Sequence, residues 1–331
     1  MELLKNIGLG IAGVALLYFG AEYLIRGGVS IAKKLGVSPL LIGLTLVAFG
    51  TSAPELVVSI QAALTNSGDI AVGNVVGSNI CNVALILGLC ALLKPIATNE
   101  KLFKLDMPLL LGASLLFILF YFLDGPFTLA DKANRGLNFW QGAVMVSILI
   151  VYLIWSFYQD KKSGGGELSA AAEEEGGDGN TPVWLALIMV AGGLTGLVLG
   201  ARCFVSSAIY FAQAMGVSQA VIGLTIVALG TSLPELATSV VAVIKGERDI
   251  AVGNVVGSNI FNILVIMGIA PMVNDLHAPN VNLIDLGVML AMVPLLWVMM
   301  ATGKILSRVE GGILLLIYCG YTVWLFISGG C

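Results

Sequence analysis

The sequence predicts an all-α integral membrane protein of ten transmembrane helices, built as two inverted five-helix repeats. Composition points to the membrane: 58% of residues are hydrophobic, 11% are charged, and the mean hydropathy is +0.99. Ten apolar runs reach the length of about 20 residues that a helix needs to cross a bilayer. The third observation is an internal repeat offset by 180 positions. Gly50-Thr51-Ser52-Ala53-Pro54-Glu55 returns as Gly230-Thr231-Ser232-Leu233-Pro234-Glu235, and the stretch Asp69 to Ile80 is identical to Asp249 to Ile260. Between Ile42 and Leu89, 29 of 48 positions match their counterparts at Ile222 to Ile269.

The runs fall at 7–26, 38–65, 69–93, 105–123, 137–157, 183–212, 218–244, 250–273, 282–301 and 309–328. The first lacks a small-residue cleavage site and stays apolar through Tyr23 and Ile25, so it reads as a membrane helix and not a removed leader. The second and seventh each carry a mid-helix proline, Pro54 and Pro234. Proline lacks the N–H that would bond the carbonyl four residues back, so both helices should kink and turn the carbonyls of Gly50 and Gly230 away. The third and eighth carry Gly73, Gly77, Gly253 and Gly257, small residues that let membrane helices approach closely.

Lys and Arg orient these spans, since cytoplasmic loops collect them. With the N-terminus outside, twelve basic residues (Arg26, Lys33, Lys34, Lys94, Lys101, Lys104, Lys161, Lys162, Lys245, Arg248, Lys304 and Arg308) fall in inner loops. Only three, Lys5, Lys132 and Arg135, fall outside, and Arg202 lies within the sixth span. Both termini are then expected outside and the chain in the plasma or cell inner membrane. Five spans per half is an odd number, so the second half enters the bilayer upside down, with a site near the midplane where the halves meet. The domains expected are 1–157, a flexible acidic cytoplasmic linker over 158–182, and 183–331. That linker carries Glu167, Glu173, Glu174, Glu175 and Asp178 without EF-hand spacing, which fits a solvated tether. Inversion also separates Glu22 from its repeat counterpart Arg202, leaving Arg26, one turn along, as the partner of Glu22. Cys81, Cys90, Cys203, Cys319 and Cys331 lack metal-ligand spacing, and the four inside spans read as buried, reduced thiols.

The chemistry lies in the repeated polar residues. Glu55 is about 17 residues, or roughly 26 Å of helix, from the inner end of its span, near the bilayer centre; Glu235 follows by symmetry. A charge there costs about 2.5–3.5 kcal/mol on insertion scales. No Lys or Arg lies at that depth to pair with it, so a cation is the natural counter-charge. Thr51, Ser52, Thr231 and Ser232 add hydroxyls beside the freed carbonyls. Ser78 and Asn82 stand at i and i+4 on one helix face, as do Ser258 and Asn262. Together these are hard oxygen donors, of which calcium takes six to eight. Asn79 and Asn259 point elsewhere on their helices and read as structural.

The paired motifs GTSxPE and GNVVGSN resemble the two alpha repeats of the calcium/cation antiporter superfamily, most closely its compact prokaryotic sodium/calcium exchangers. The resemblance covers essentially the whole chain. It implies that the second, third, seventh and eighth helices form the ion-binding core and that the long first and sixth slide across it. By position it makes Glu55 and Glu235 the main acidic ligands, joined by Thr51, Ser52, Ser78, Thr231, Ser232 and Ser258. The backbone carbonyls of Ala48 and Ala228 fall where the family binds sodium. The function implied is antiport of Na+ for Ca2+ by alternating access, in a monomer that uses the lipid bilayer, needs no cofactor and has no nucleic-acid partner.

Two carboxylates balance one Ca2+, so exchange against more than two Na+ would be electrogenic, at about 2.3 kcal/mol per charge per 100 mV. A proton-driven antiporter of Ca2+ or another divalent cation is the alternative on the same scaffold. A channel would need rings from symmetric subunits. An enzyme is not expected: Ser52 and Ser232 lack a histidine partner, because the one histidine, His277, falls in an outer loop and no HExxH is present. Potassium-dependent relatives carry Asp where this chain has Asn262. Calcium uptake at a fixed sodium gradient should therefore ignore potassium, whereas Asn262→Asp should gain potassium stimulation or stronger proton inhibition. A potassium requirement in the wild type would overturn the assignment.

Overall fold

A computed structural model describes residues 2–97, 99–123, 134–162, 181–216, 228–301 and 303–328. Its helices are α1 (Glu2–Leu35), α2 (Pro39–Thr51), α3 (Ala53–Leu64), α4 (Gly68–Leu93), α5 (Leu102–Tyr121), α6 (Phe139–Lys162) and α7 (Val183–Ala214). There follow α8 (Ala228–Gly230), α9 (Leu233–Lys245), α10 (Arg248–Val273), α11 (Leu283–Ala301) and α12 (Arg308–Ser328). Among the described residues eight helices are long and apolar enough to cross a membrane, and the bent pair α2–α3 makes a ninth. The span expected over 218–244 lies partly outside the described residues, as do the five linker acids and Cys331.

Apolarity marked the membrane-spanning part of α1 but not its length. The helix runs 34 residues, roughly 51 Å at 1.5 Å per residue, because nothing breaks it before Gly36. Gly36 has φ +64°, and the Val37 amide closes the end on the Ala32 carbonyl at 3.0 Å, the left-handed glycine cap that terminates many helices. Glu22 does meet Arg26, at 2.6 Å. It also accepts from Lys245 Nζ at 2.9 Å, a tie from α1 to α9 that spacing alone could not reveal.

Packing sorts the helices into a core and a periphery. The apolar stretch of α10 is wholly buried and that of α4 is 78% buried, against 28% for α1 and for α7. Gly253 and Gly257 of α10 bring its backbone onto α2: an added Cβ would lie 2.7 Å from the Leu40 carbonyl oxygen and 2.6 Å from that of Leu44. Gly73 and Gly77 make no such close approach among the described residues, and the stretch matching α2 in the other half, 217–227, is not described. The peripheral pair α1 and α7 is joined by a second glycine seam, with Gly13, Gly20 and Gly27 of α1 set against Gly200, Gly193 and Ala186 of α7. Without a hydrophobic drive between helices in lipid, such backbone contact supplies the dispersion that holds them.

Two short ribbons tie the connections. β1 (Ile96–Ala97) pairs antiparallel with β4 (Ile305–Leu306), and β2 (Gly136–Leu137) with β3 (Leu276–His277). Tyr121 adds a 2.6 Å bond to the Ala278 carbonyl beside the second ribbon.

Two expectations need correction. The linker does not begin at 158: α6 continues to Lys162, and Asp160 is buried in the fold. Its carboxylate accepts from the Ser38 amide and hydroxyl at 2.7 Å each and from Lys101 Nζ at 3.0 Å, anchoring the start of α2. Charge suggested solvent, but three charge-assisted or buried donors make burial affordable. Of the cysteines within spans, only Cys81 and Cys90 are buried; Cys203 is half-buried and Cys319 exposed, on faces that a bilayer would cover.

The α1–α7 seam gives a test with its own control. Gly20→Val would place Cβ 2.8 Å from the Gly193 carbonyl oxygen and should destabilise by about 1–3 kcal/mol. Gly192→Ala meets nothing within 4 Å and should leave the melting temperature in detergent unchanged. Equal melting temperatures for the two variants would refute the seam.

Candidate ion-binding site

Both glutamates sit just past a break in their helices. α2 and α3 meet at a 47° bend, where Ser52 leaves helical geometry at φ −82°, ψ 4° and Pro54 stands in the first turn of α3. Ser232 repeats this at φ −86°, ψ 4° before α9. Each proline thus begins a new helix whose first turn holds a glutamate: N-terminal positions tolerate proline and favour acids. The kink expected from each proline takes the form of a helix break at Ser52 and at Ser232, because the first turn of a helix is where the missing N–H costs least.

Glu55 and Glu235 are each 1% exposed, and each is held by the opposite half. Ser52 donates to Glu235 Oε1 at 2.9 Å. Ser232, with one proton to give, faces both Glu55 Oε1 and Ser78 Oγ at 3.4 Å. The second oxygens, Glu55 Oε2 and Glu235 Oε2, are buried without a hydrogen-bond partner, as are Thr231 Oγ1, Ser258 Oγ, Asn82 Oδ1 and Asn262 Oδ1. A native interior leaves few polar atoms unsatisfied, and each costs about 1–3 kcal/mol or more when charged. Six converging on two repeated motifs form an acceptor-rich centre suited to a desolvated cation. Among the described residues no three His, Cys, Asp or Glu side chains converge, so neutral oxygens must complete any coordination shell there.

Thr51 is 1% exposed and its hydroxyl lies 3.0 Å from Asn254 Oδ1 and 3.3 Å from the Ala48 carbonyl. That carbonyl also accepts the Ser52 amide at 3.0 Å, so in this conformation helix geometry engages it. Ala228 opens α8, the counterpart segment. Asn82 begins its work where α4 widens: the turns over Cys81–Leu87 and over Asn262–Ile266 close i→i+5 bonds, and such bulges often accompany functional sites.

Four residues escaped the sequence reading as supports of the site. Asn74 donates to the Glu55 carbonyl at 3.3 Å and Ser59 Oγ at 3.1 Å; Asn254 donates to the Glu235 carbonyl at 3.4 Å and Ser239 Oγ at 3.0 Å. The signal was available, since all four recur at matched positions and Asn74 stands one turn before Ser78. Asn79 and Asn259, read from the sequence as structural, accept from Asn262 at 3.0 Å and from Asn82 at 2.9 Å.

A model of the family described as "Sodium/calcium exchanger protein" matches residues 5–158 and 185–327. The chain belongs to the sodium/calcium exchanger family. It is 37% identical, over 345 aligned positions, to the sodium/calcium exchanger MaX1 of Methanosarcina acetivorans, covering 95% of this chain and 96% of that one. It is 40% identical to CaxA of Alkalimonas amylolytica, whose name marks it only as a candidate antiporter, over 96% of this chain and 98% of that one. The fold matches the sodium-calcium exchanger NCX_Mj, soaked with zero Na+ and Ca2+, with a TM-score of 0.79 and 30% identity over 98% of this chain and 99% of that one. This chain is accordingly a multi-pass membrane protein of a transporter family.

Asn254 is fully buried and spans three elements. Asn254→Ala should lower stability by about 1–3 kcal/mol for each group left unpaired, and by more than Asn74→Ala at the half-buried counterpart. Thermal denaturation of the two variants in one detergent checks the order, which reverses if these bonds are incidental.

Proposed function

We propose that this exchanger is a secondary active antiporter of Na+ for Ca2+, electrogenic and independent of potassium. The observation that carries the reading is the pair of buried glutamates, each bonded by a serine of the opposite half and each keeping one oxygen free. The ion ligands proposed are Glu55 and Glu235 with Thr51, Ser52, Ser78, Asn82, Thr231, Ser232, Ser258 and Asn262. The carbonyls of Ala48 and Ala228 join them in a conformation that releases the Ala48 carbonyl from the Ser52 amide. One Ca2+ neutralises the two carboxylates, and Na+ competes for the same oxygens. A carrier with two bare charges pays a desolvation penalty on crossing that a loaded carrier avoids, which couples the two fluxes.

The architecture proposed is ten spans in two inverted repeats, 1–157 and 183–331, joined through a cytoplasmic connection, in a monomer of the plasma membrane with both termini outside. Ribbon pairing supports this sidedness. β1 and β4 lie in connections that the Lys/Arg bias places inside, and β2 and β3 in connections that it places outside. The MaX1 name and the NCX_Mj fold favour sodium as the driving ion, since both proteins are named sodium-calcium exchangers.

In proteoliposomes, an outward sodium gradient should drive isotopic calcium uptake, and a proton gradient alone should not. Uptake driven by protons in the absence of sodium would assign the alternative coupling. Glu55→Gln and Glu235→Gln should each reduce calcium flux to background while the protein still folds, because a neutral amide is less costly to bury than an unpaired charge. Normal flux from either variant would refute the site.

A further inference from the structure

Asn82 and Asn262 present the ion site with a choice that their own chemistry does not settle. A side-chain amide carries an acceptor oxygen and a donor NH2 of almost the same shape, so only its hydrogen-bond partners decide which end faces where. Oxygen toward the site offers a cation a neutral ligand; NH2 toward the site sets two partial positive charges against it.

The structure contains a chain of bonds that makes this choice. Asn259 Nδ2 donates to the backbone carbonyl of Asn79 at 3.3 Å. A carbonyl can only accept, so the Asn259 amide is fixed with Oδ1 turned the other way. That oxygen accepts from Asn82 Nδ2 at 2.9 Å, which leaves Asn82 Oδ1 as the free end, buried and without a partner. A parallel chain acts on the other half. Asn79 Nδ2 points at the Met289 sulfur at 3.8 Å, a weak acceptor that cannot donate. Asn79 Oδ1 therefore faces Asn262, takes its NH2 at 3.0 Å, and leaves Asn262 Oδ1 free and buried. Asn82 and Asn262 each stand one turn beyond Ser78 or Ser258 on their helices, and Ser78 Oγ lies 3.4 Å from Ser232 Oγ in the serine–glutamate cluster.

We infer that Asn79 and Asn259 are positioning residues that polarise the amides of Asn262 and Asn82, so that both turn their oxygens, and not their NH2 groups, toward the transported cation. Each acts across the boundary between halves: α4 orients an amide of α10, and α10 an amide of α4. The inference rests on the proposed reading of Asn82 and Asn262 as ion ligands. It adds an origin for calcium affinity in residues that touch no ion, and it needs no charge beyond the two glutamates.

The test is calcium uptake into proteoliposomes at a fixed sodium gradient, with KM for Ca2+ and maximal rate fitted separately. Asn259→Ala frees the Asn82 amide to rotate and should raise KM about tenfold, with the maximal rate within about twofold of wild type. In an Asn82→Ala background the same change should have no further effect on KM, because residues acting through one another are not additive. Asn79→Ala and Asn262→Ala form the equivalent cycle. An unchanged KM for Asn259→Ala would overturn the proposal, as would a rise that persists in the Asn82→Ala background, which is the mark of a merely structural role. Should Asn259→Ala fail to accumulate, Asn79→Ala in the wild-type and Asn262→Ala backgrounds decides by the same readout: an unchanged KM, or a rise that persists in the Asn262→Ala background, would equally overturn the proposal. Glu55→Gln run alongside separates the two claims. If it transports, the ion site itself is wrong, whereas an inactive Glu55→Gln beside an unaffected Asn259→Ala rejects only the positioning role.

Discussion

Two carboxylates enclosed at the centre of a membrane protein are the constraint around which the rest of this molecule is arranged. Among the described residues neither Glu55 nor Glu235 has a basic partner, and each accepts a hydroxyl of the opposite half at one oxygen while the other is without a hydrogen-bond partner. Holding them in place requires donors that are neutral and do not consume every acceptor. Serines from the opposite half meet that need, with one bond each. The helix breaks at Ser52 and Ser232 set those serines outside regular helix geometry, and Asn74 and Asn254 tie down the glutamate backbones from behind. Enclosure needs close helices, which the glycines of α10 allow against α2.

Two kinds of contact at the centre each occur twice with the halves exchanged. Ser52 reaches Glu235 as Ser232 reaches Glu55, and Asn82 reaches Asn259 as Asn262 reaches Asn79. The ribbons exchange in the same way, β1 with β4 and β2 with β3. Reciprocity of this kind is what a two-fold relation between halves produces, as in an isologous interface. A transporter with such a relation can present one site to either side at similar energy. Other contacts lack a counterpart in the opposite half among the described residues. Glu22 pairs with Lys245, while the matched positions, Arg202 and Thr65, cannot form an ion pair. The anchoring of Ser38 by Asp160 and Lys101 likewise fixes the start of α2. These peripheral contacts are where the halves have diverged, and the centre is where they have not.

The sequence by itself determined the class of the protein, its repeat and the candidate members of its site. Long apolar runs permit little besides membrane helices, and a repeat that retains its polar and helix-breaking residues points to a site made twice. Glu55, Glu235, the hydroxyls and both amides were legible for that reason. Tertiary structure alone decided how they meet. It broke the helices at Ser52 and Ser232, placed Asp160 in the fold rather than in a tether, and extended α1 well past its apolar run. It set each serine on the glutamate of the other half and brought Asn79 and Asn259, set aside as structural, against the amides of Asn262 and Asn82. The contacts between serines and glutamates and between asparagines do not follow from spacing along one helix, because they join residues more than a hundred positions apart, and which end of an amide faces an ion depends on what the other end touches.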